Sequence, residues 1–190
     1  MYIKSVPTPA KGWTMLEMMM AMSIFSIASL AFTTIFLFTI RSYAAIANYS
    51  VLDQKNRQAM DQFTYEIRQA QKVVGYSSNA TSRSLVITNG VGVQVTYTFD
   101  AANQRVTRAG SDGTSAVLLT NCNLLNFNLF MRPPTNGSFD VYPVNMGSNW
   151  QSTVKVVQLS WKTSMTLPPA RITSEDIQTA RIVIRKQQDN

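Results

Sequence analysis

The chain has no histidine among its 190 residues. That absence removes the usual general base, the Ser-His and Cys-His dyads and the commonest metal ligand together. It has a single cysteine, Cys122, so no intramolecular disulfide can form. Cys122 lies in NCNLLNFNLF, alternating with asparagines, the setting of a small buried hydrophobe rather than a nucleophile. The phosphate-cradling G-x-x-x-x-G-K-[ST], the dinucleotide G-x-G-x-x-G, C-x-x-C and the G-x-S-x-G elbow are all missing. The scattered acids Asp112, Asp140 and Ser174-Glu175-Asp176 are the only groups that could assemble into a cation site, and Ser174 reads better as a turn cap. We expect no catalytic residues, no metal and no cofactor: not an enzyme. Proline is also absent from Pro9 to Pro133, so no ring breaks a helix in that span.

What is present begins with an apolar run from Trp13 to Ile40 whose only charged side chain is Glu17. At about 1.5 Å per residue it is long enough to cross a bilayer, which takes about 20 residues. It exceeds the apolar core of an ordinary cleaved secretory signal. An ionisable group inside such a run is expensive, so Glu17 points to a role and a partner. After Ile40 the spacing of Ile46, Tyr49, Leu52, Ala59 or Met60, Phe63, Ile67, Ala70 and Val74 predicts an amphipathic helix continuing the first. Gly75 is its expected stop. Asp53, Lys55, Arg57, Asp61, Glu66 and Arg68 fall on the opposite, solvated face.

KGWTMLEMMMAMSIFSIASLAF resembles the class III signal of type IV prepilins and pseudopilins: a short basic leader, a glycine, an aromatic residue, and a glutamate at the fifth position after that glycine. By this resemblance a prepilin peptidase/methyltransferase cuts after Gly12, and Trp13 becomes the methylated N-terminus. The chain departs from the usual pattern in carrying Trp13 where phenylalanine is common, and Thr34 where many major pilins have a kinking proline. RQAMDQFTYEIRQAQ and TARIVIRK are similar to segments of J-type minor pseudopilins and PilW-like minor pilins. The resemblance implies a single-pass inner-membrane subunit whose C-terminal domain lies in the periplasm. It also implies assembly, as a priming or tip subunit, into a type II secretion pseudopilus or a type IV pilus. Glu17 of an incoming subunit would pair with the N-terminal ammonium of one already assembled, and Met15, Leu16, Met19 and Met20 would pack helix on helix. The implied partners are other pilin or pseudopilin subunits, the processing enzyme, the inner-membrane assembly platform and membrane lipid.

From Ser77 the period changes to two. Ser84–Thr88 and Val91–Phe99 flank Asn89-Gly90, a hairpin signal. Gln104–Arg108, Ala116–Leu119, Asn123–Met131, Val154–Trp161 and Thr179–Lys186 read as further strands, with long loops at Arg132–Trp150 and Thr163–Asp176 offering surfaces for a partner. Trp150 and Trp161 read as core or loop-packing aromatics.

The expected class is α+β: a long N-terminal helix, transmembrane in its first half and amphipathic in its second, packed on a C-terminal antiparallel β-sheet domain, as in pilins. The expected divisions are a cleavable leader 1–12, a transmembrane helix 13–40, an amphipathic helix 41–75 and a β-rich domain 76–190. The formal charge of +7 falls to +5 when loss of the leader removes Lys4 and Lys11, two of 17 basic residues, against 10 acids. That mild excess is no nucleic-acid footprint on its own, and nucleic acid is not an expected partner. The second reading, a DNA-binding competence pilin, rests on Arg105, Arg108, Lys155, Arg171 and Arg181.

Overall fold

Helix α1 runs from Met15 to Gln69 in the computed structural model, which describes residues 12–132, 140–167 and 172–185. The expected leader, except Gly12, lies outside the described residues, as does Arg171. The chain divides into two compact units, Met1–Ala44 and Ala45–Asn190.

In the first unit α1 is apolar and its side chains are almost all exposed. Five of the hydroxyls it carries are satisfied within the helix. Ser23, Ser26, Thr33, Thr34 and Thr39 each donate to the carbonyl four residues back, at 2.7–2.8 Å. Such internal bonding leaves none of these five hydroxyl donors unpaired in an apolar surround. The helix passes through Thr34 without interruption.

In the second unit α1 is followed by two antiparallel sheets. Strands β1 (Ala70–Ser78), β2 (Ser82–Asn89), β3 (Gln94–Asp100), β4 (Arg105–Gly110) and β5 (Ser115–Thr120) form a five-stranded meander in sequence order. Strands β6 (Cys122–Met131), β7 (Tyr142–Pro143), β8 (Val154–Leu167) and β9 (Ile172–Val183) form a second sheet in the order β7-β6-β8-β9, with the short helix α2 (Trp150–Thr153) leading into β8. The expected α+β architecture is thus present: a long N-terminal helix and an antiparallel β domain.

The helical boundary differs from expectation. Helix α1 stops at Gln69, and Ala70–Ser78, which the periodicity continued as helix and loop, is a strand paired with β2. Val73, Val74 and Tyr76 are β-formers, and pairing with β2 outweighs the helical spacing. Gly75 is therefore not a helix cap. It sits inside β1 opposite Val86, beside a register shift, where an added Cβ would lie 3.4 Å from the Val86 side chain.

The buried stripe of α1 also differs. Ile46 and Tyr49 are exposed, and the face turned to the core is Asn48, Leu52, Asn56, Ala59, Phe63 and Ile67. Phe63 is fully buried and touches both sheets, its ring 4.6 Å from that of Tyr97 in β3 and 5.6 Å from that of Trp161 in β8. Leu85, Ile87, Val95, Val106, Leu119, Leu125, Phe127, Leu159 and Ile182 close the core around it, and Trp150 packs against its edge.

Asn89-Gly90 does make a hairpin, although not the two-residue turn its sequence suggests. Asn89 O accepts from Gly92 N, the left-handed residue is Gly92 (φ 88°), and the Asn89 side chain accepts from the Val91 and Val93 amides. Thr163–Asp176 is not a long loop. Strands β8 and β9 continue through it in unbroken register from Val156↔Val183 to Leu167↔Ile172, and only 168–171 lies outside the described residues. Within Arg132–Trp150 the described residues are irregular apart from β7 and Trp150, which opens α2, and 133–139 fall outside them.

Cys122 is buried, as its alternation implies, and burial pushes its thiol up to about 12. Its Sγ–H donates to the Leu124 carbonyl at 3.3 Å. The expected consequence is a thiol that a maleimide at pH 8 labels at least about a hundredfold more slowly in the folded chain than in guanidinium, because thiolate and access are both withheld. Comparable rates in the two states would contradict this placement.

Candidate functional site

The N-terminal end of α1 is built by a reciprocal cap. Thr14 precedes the first helical residue, and its Oγ1 accepts from the Glu17 amide at 3.2 Å. Glu17 Oε2 in turn accepts from the Thr14 amide at 2.9 Å and from Thr14 Oγ1 at 3.1 Å. This is the capping box, in which threonine and glutamate three residues apart each satisfy the other's otherwise unpaired amide. The signal T-x-x-E was present in the sequence, but the reading of Glu17 as an isolated membrane carboxylate passed over Thr14. Both bonds fall on Oε2, and no described residue reaches Oε1.

The residues read from the sequence surround this cap. Gly12 is exposed and outside the helix, with open space where a Cβ would stand and no left-handed backbone requirement. Nothing among the described residues calls for glycine there. Trp13, Met15, Leu16, Met19 and Met20 are all exposed, Trp13 at 74%. None of the apolar window of α1 is buried, and among the described residues α1 is the one helix long and apolar enough to cross a membrane.

The second unit holds two polar clusters that the sequence did not reveal. Asn56 Nδ2 donates to Thr163 Oγ1 at 2.8 Å and to Asp176 Oδ2 at 2.5 Å, while Asn56 Oδ1 accepts from Trp161 Nε1 at 3.1 Å. All four residues are buried. The other cluster centres on Glu66, expected on the solvated face and found turned inward. Arg108 Nε lies 2.8 Å from Glu66 Oε1, the two side chains being 16% and 17% exposed, and the Tyr97 hydroxyl donates to Glu66 Oε2. Burial, and then that bond to Glu66, push the Tyr97 hydroxyl far above its ordinary value. Arg108 Nη1 also donates to Thr114 Oγ1 at 2.8 Å, and Thr114 Oγ1 donates to Asp112 at 2.6 Å. The network ties α1 to β3, β4 and the β4–β5 turn. Glu66→Ala would take away the ion-pair partner of Arg108, leaving it only Thr114, and the acceptor of the Tyr97 hydroxyl, and is expected to cost about 2 kcal/mol in chemical denaturation, with Glu66→Gln milder. Equal stability for wild type and Glu66→Ala would refute that role.

Asp112 is held below its ordinary value of 3.8 chiefly by the Thr114 hydroxyl, and Asp100 chiefly by the Asn103 side chain. A carboxylate with a lowered folded-state value stabilises at neutral pH. That contribution disappears as the pH falls through 3.8 and on through the lowered value.

The basic residues of the second reading are divided. Arg105 and Arg108 lie on β4 of one sheet, and Lys155 and Arg181 on β8 and β9 of the other. Arg108 is committed to Glu66, and Arg181 Nε to Gln158 Oε1 at 2.7 Å. On the solvated face of α1, Asp53 and Arg57 form an ion pair at 2.8 Å. Among the described residues no group of His, Cys, Asp or Glu could hold a metal ion. Asp112 bonds Thr114, Asp176 bonds Asn56, and Glu175 pairs with Lys162 at 2.8 Å. Comparison with protein-family models and with curated proteins returns no match.

Proposed function

We propose that the chain is a minor pilin or pseudopilin subunit, cut between Gly12 and Trp13 and assembled through Glu17 into a type II secretion pseudopilus or a type IV pilus. In this reading it is a priming or tip subunit, stored in the inner membrane with its β domain in the periplasm. The observation that carries the reading is Gly12. It stands in open space with an unstrained backbone, yet it lies five residues before the only charged side chain of the exposed apolar run from Trp13 to Ile40. A processing enzyme that must fit the backbone at the cleavage point supplies the reason for glycine that folding does not.

The cap supports the remaining roles of the reading. Thr14 occupies one carboxylate oxygen of Glu17 and leaves the other open for a cation. An ammonium at Trp13 of a neighbouring subunit is a cation of the right size. Two charges that neutralise each other can enter an apolar filament centre where neither could go alone. Met15, Leu16, Met19 and Met20 present a flexible apolar surface for that packing.

N-terminal sequencing of the protein extracted from membranes of a host with the processing enzyme tests the reading. The expected first residue is Trp13, with a methylated amine. A chain that still begins at Met1, or one cut elsewhere, overturns it.

A further inference from the structure

Four strands stand at the edges of the two sheets: β1 and β5 on one, β7 and β9 on the other. Three are blunted. Strand β1 carries two register shifts against its neighbour, β5 is short and its pairing with β4 is shifted between Val106 and Thr107, and β7 has two residues. Strand β9 is not blunted. It is 12 residues long, contains no proline, and pairs with β8 without a single shift. Among the described residues no strand pairs with its outer edge; just past its end the Arg185 amide donates to the Arg68 carbonyl of α1 at 3.2 Å. Its outward face carries Ile177 and Val183, exposed at 67% and 53%. A long, regular edge with apolar side chains is a template for another strand.

The side chains of β9 indicate which strand. When β9 is laid antiparallel against a second β9 with the two-fold axis at Gln178, Thr173 faces Val183, Glu175 faces Arg181 and Ile177 faces Thr179. All these residues lie on one face of the strand, and the overlap uses nearly its whole length. The symmetry creates two Glu175–Arg181 pairs, one at each side of the axis. Sliding the register by two residues, to centre on Ile177, sets Glu175 against Thr179 and loses both pairs. We propose that two copies of this chain associate through their β9 edges in this register, extending the β7-β6-β8-β9 sheet across a two-fold axis.

The test uses the full chain in detergent, with association followed by analytical ultracentrifugation. Glu175→Arg and Arg181→Glu each place like charges opposite one another twice, and each is expected to weaken dimerisation by about tenfold. The double variant Glu175→Arg/Arg181→Glu restores the pairs and is expected to recover most of that loss. Because Glu175 also meets Lys162 and Arg181 also meets Gln158 within one chain, a second arm relies on geometry alone. In a Cys122→Ala background, Ile177→Cys/Thr179→Cys should give a disulfide-linked dimer under mild oxidation. Val183→Cys alone should not, since its two copies lie ten positions apart, about 34 Å. A chain that stays monomeric at 100 µM (about ten times a typical working concentration) overturns the proposal. So does a dimer indifferent to both reversals, which would place association in the apolar unit instead. Cross-linking at Val183 equal to that at 177/179 overturns it as well.

Discussion

Replacing Glu17 with alanine is expected to abolish incorporation into filaments while leaving membrane insertion and cleavage after Gly12 intact. The apolar run is unchanged apart from losing its one charge, so insertion is not impaired. Alanine also removes both hydrogen bonds to Thr14, and with them half of the capping box. A loss of assembly could then come from a frayed helix start rather than from a missing charge. Glu17→Gln separates the two causes. The glutamine carbonyl can accept from the Thr14 amide and hydroxyl as the carboxylate does, but it brings no charge to meet an ammonium. Under the proposed pairing Glu17→Gln fails to assemble almost as completely as Glu17→Ala. The readouts are the ratio of precursor to mature protein in membranes and the amount of subunit in sheared filaments. Normal filament content for Glu17→Gln would eliminate the charge pairing and leave Glu17 as a helix cap only.

The first unit was legible because its determinants are local. Hydropathy marks the helix, and the cap that starts it is four consecutive residues, Thr14 to Glu17. The second unit was legible in its strands from β2 to β6, where apolar and polar residues alternate and Asn89-Gly90 punctuates them. Its errors share one physical cause. Ala70 and Val74 keep the helical spacing of α1, and only pairing with β2 makes Ala70–Ser78 a strand. Asn48 and Asn56 carry no hydrophobic signal, so the buried stripe was drawn through Ile46 and Tyr49 instead. The partners that justify burying Asn56 lie 105 to 120 residues away. Thr163 and Asp176 looked like loop residues for the same reason: their polarity is used inside the core, against α1, rather than at the surface.

Asn56→Ala should destabilise the β domain by about 3–5 kcal/mol, the largest loss expected from any single polar residue in it. The amide serves three buried groups at once: the Asp176 carboxylate, the Thr163 hydroxyl and the Trp161 indole. Alanine leaves all three without that partner in a space that also lacks the lost side-chain volume. Asp176 keeps only the Gln178 amide at 3.0 Å. The loss is conditional on Asp176, because a carboxylate stranded in the core is the most expensive of the three orphans. Asn56→Ala introduced into an Asp176→Ala chain should therefore cost at least about 1 kcal/mol less than in the wild type, a coupling a double-mutant cycle resolves. Urea denaturation of the full chain in detergent, followed by tryptophan fluorescence, measures both differences, with an unchanged m value showing that the same surface unfolds. An Asn56→Ala chain within 1 kcal/mol of wild type would mean that α1 is held on the sheets by Phe63 and its apolar neighbours alone. A large loss shows instead that the polar bridge from Asn56 to Thr163 and Asp176 fixes α1 against β8 and β9, the strand pair whose outer edge we propose as the contact between copies.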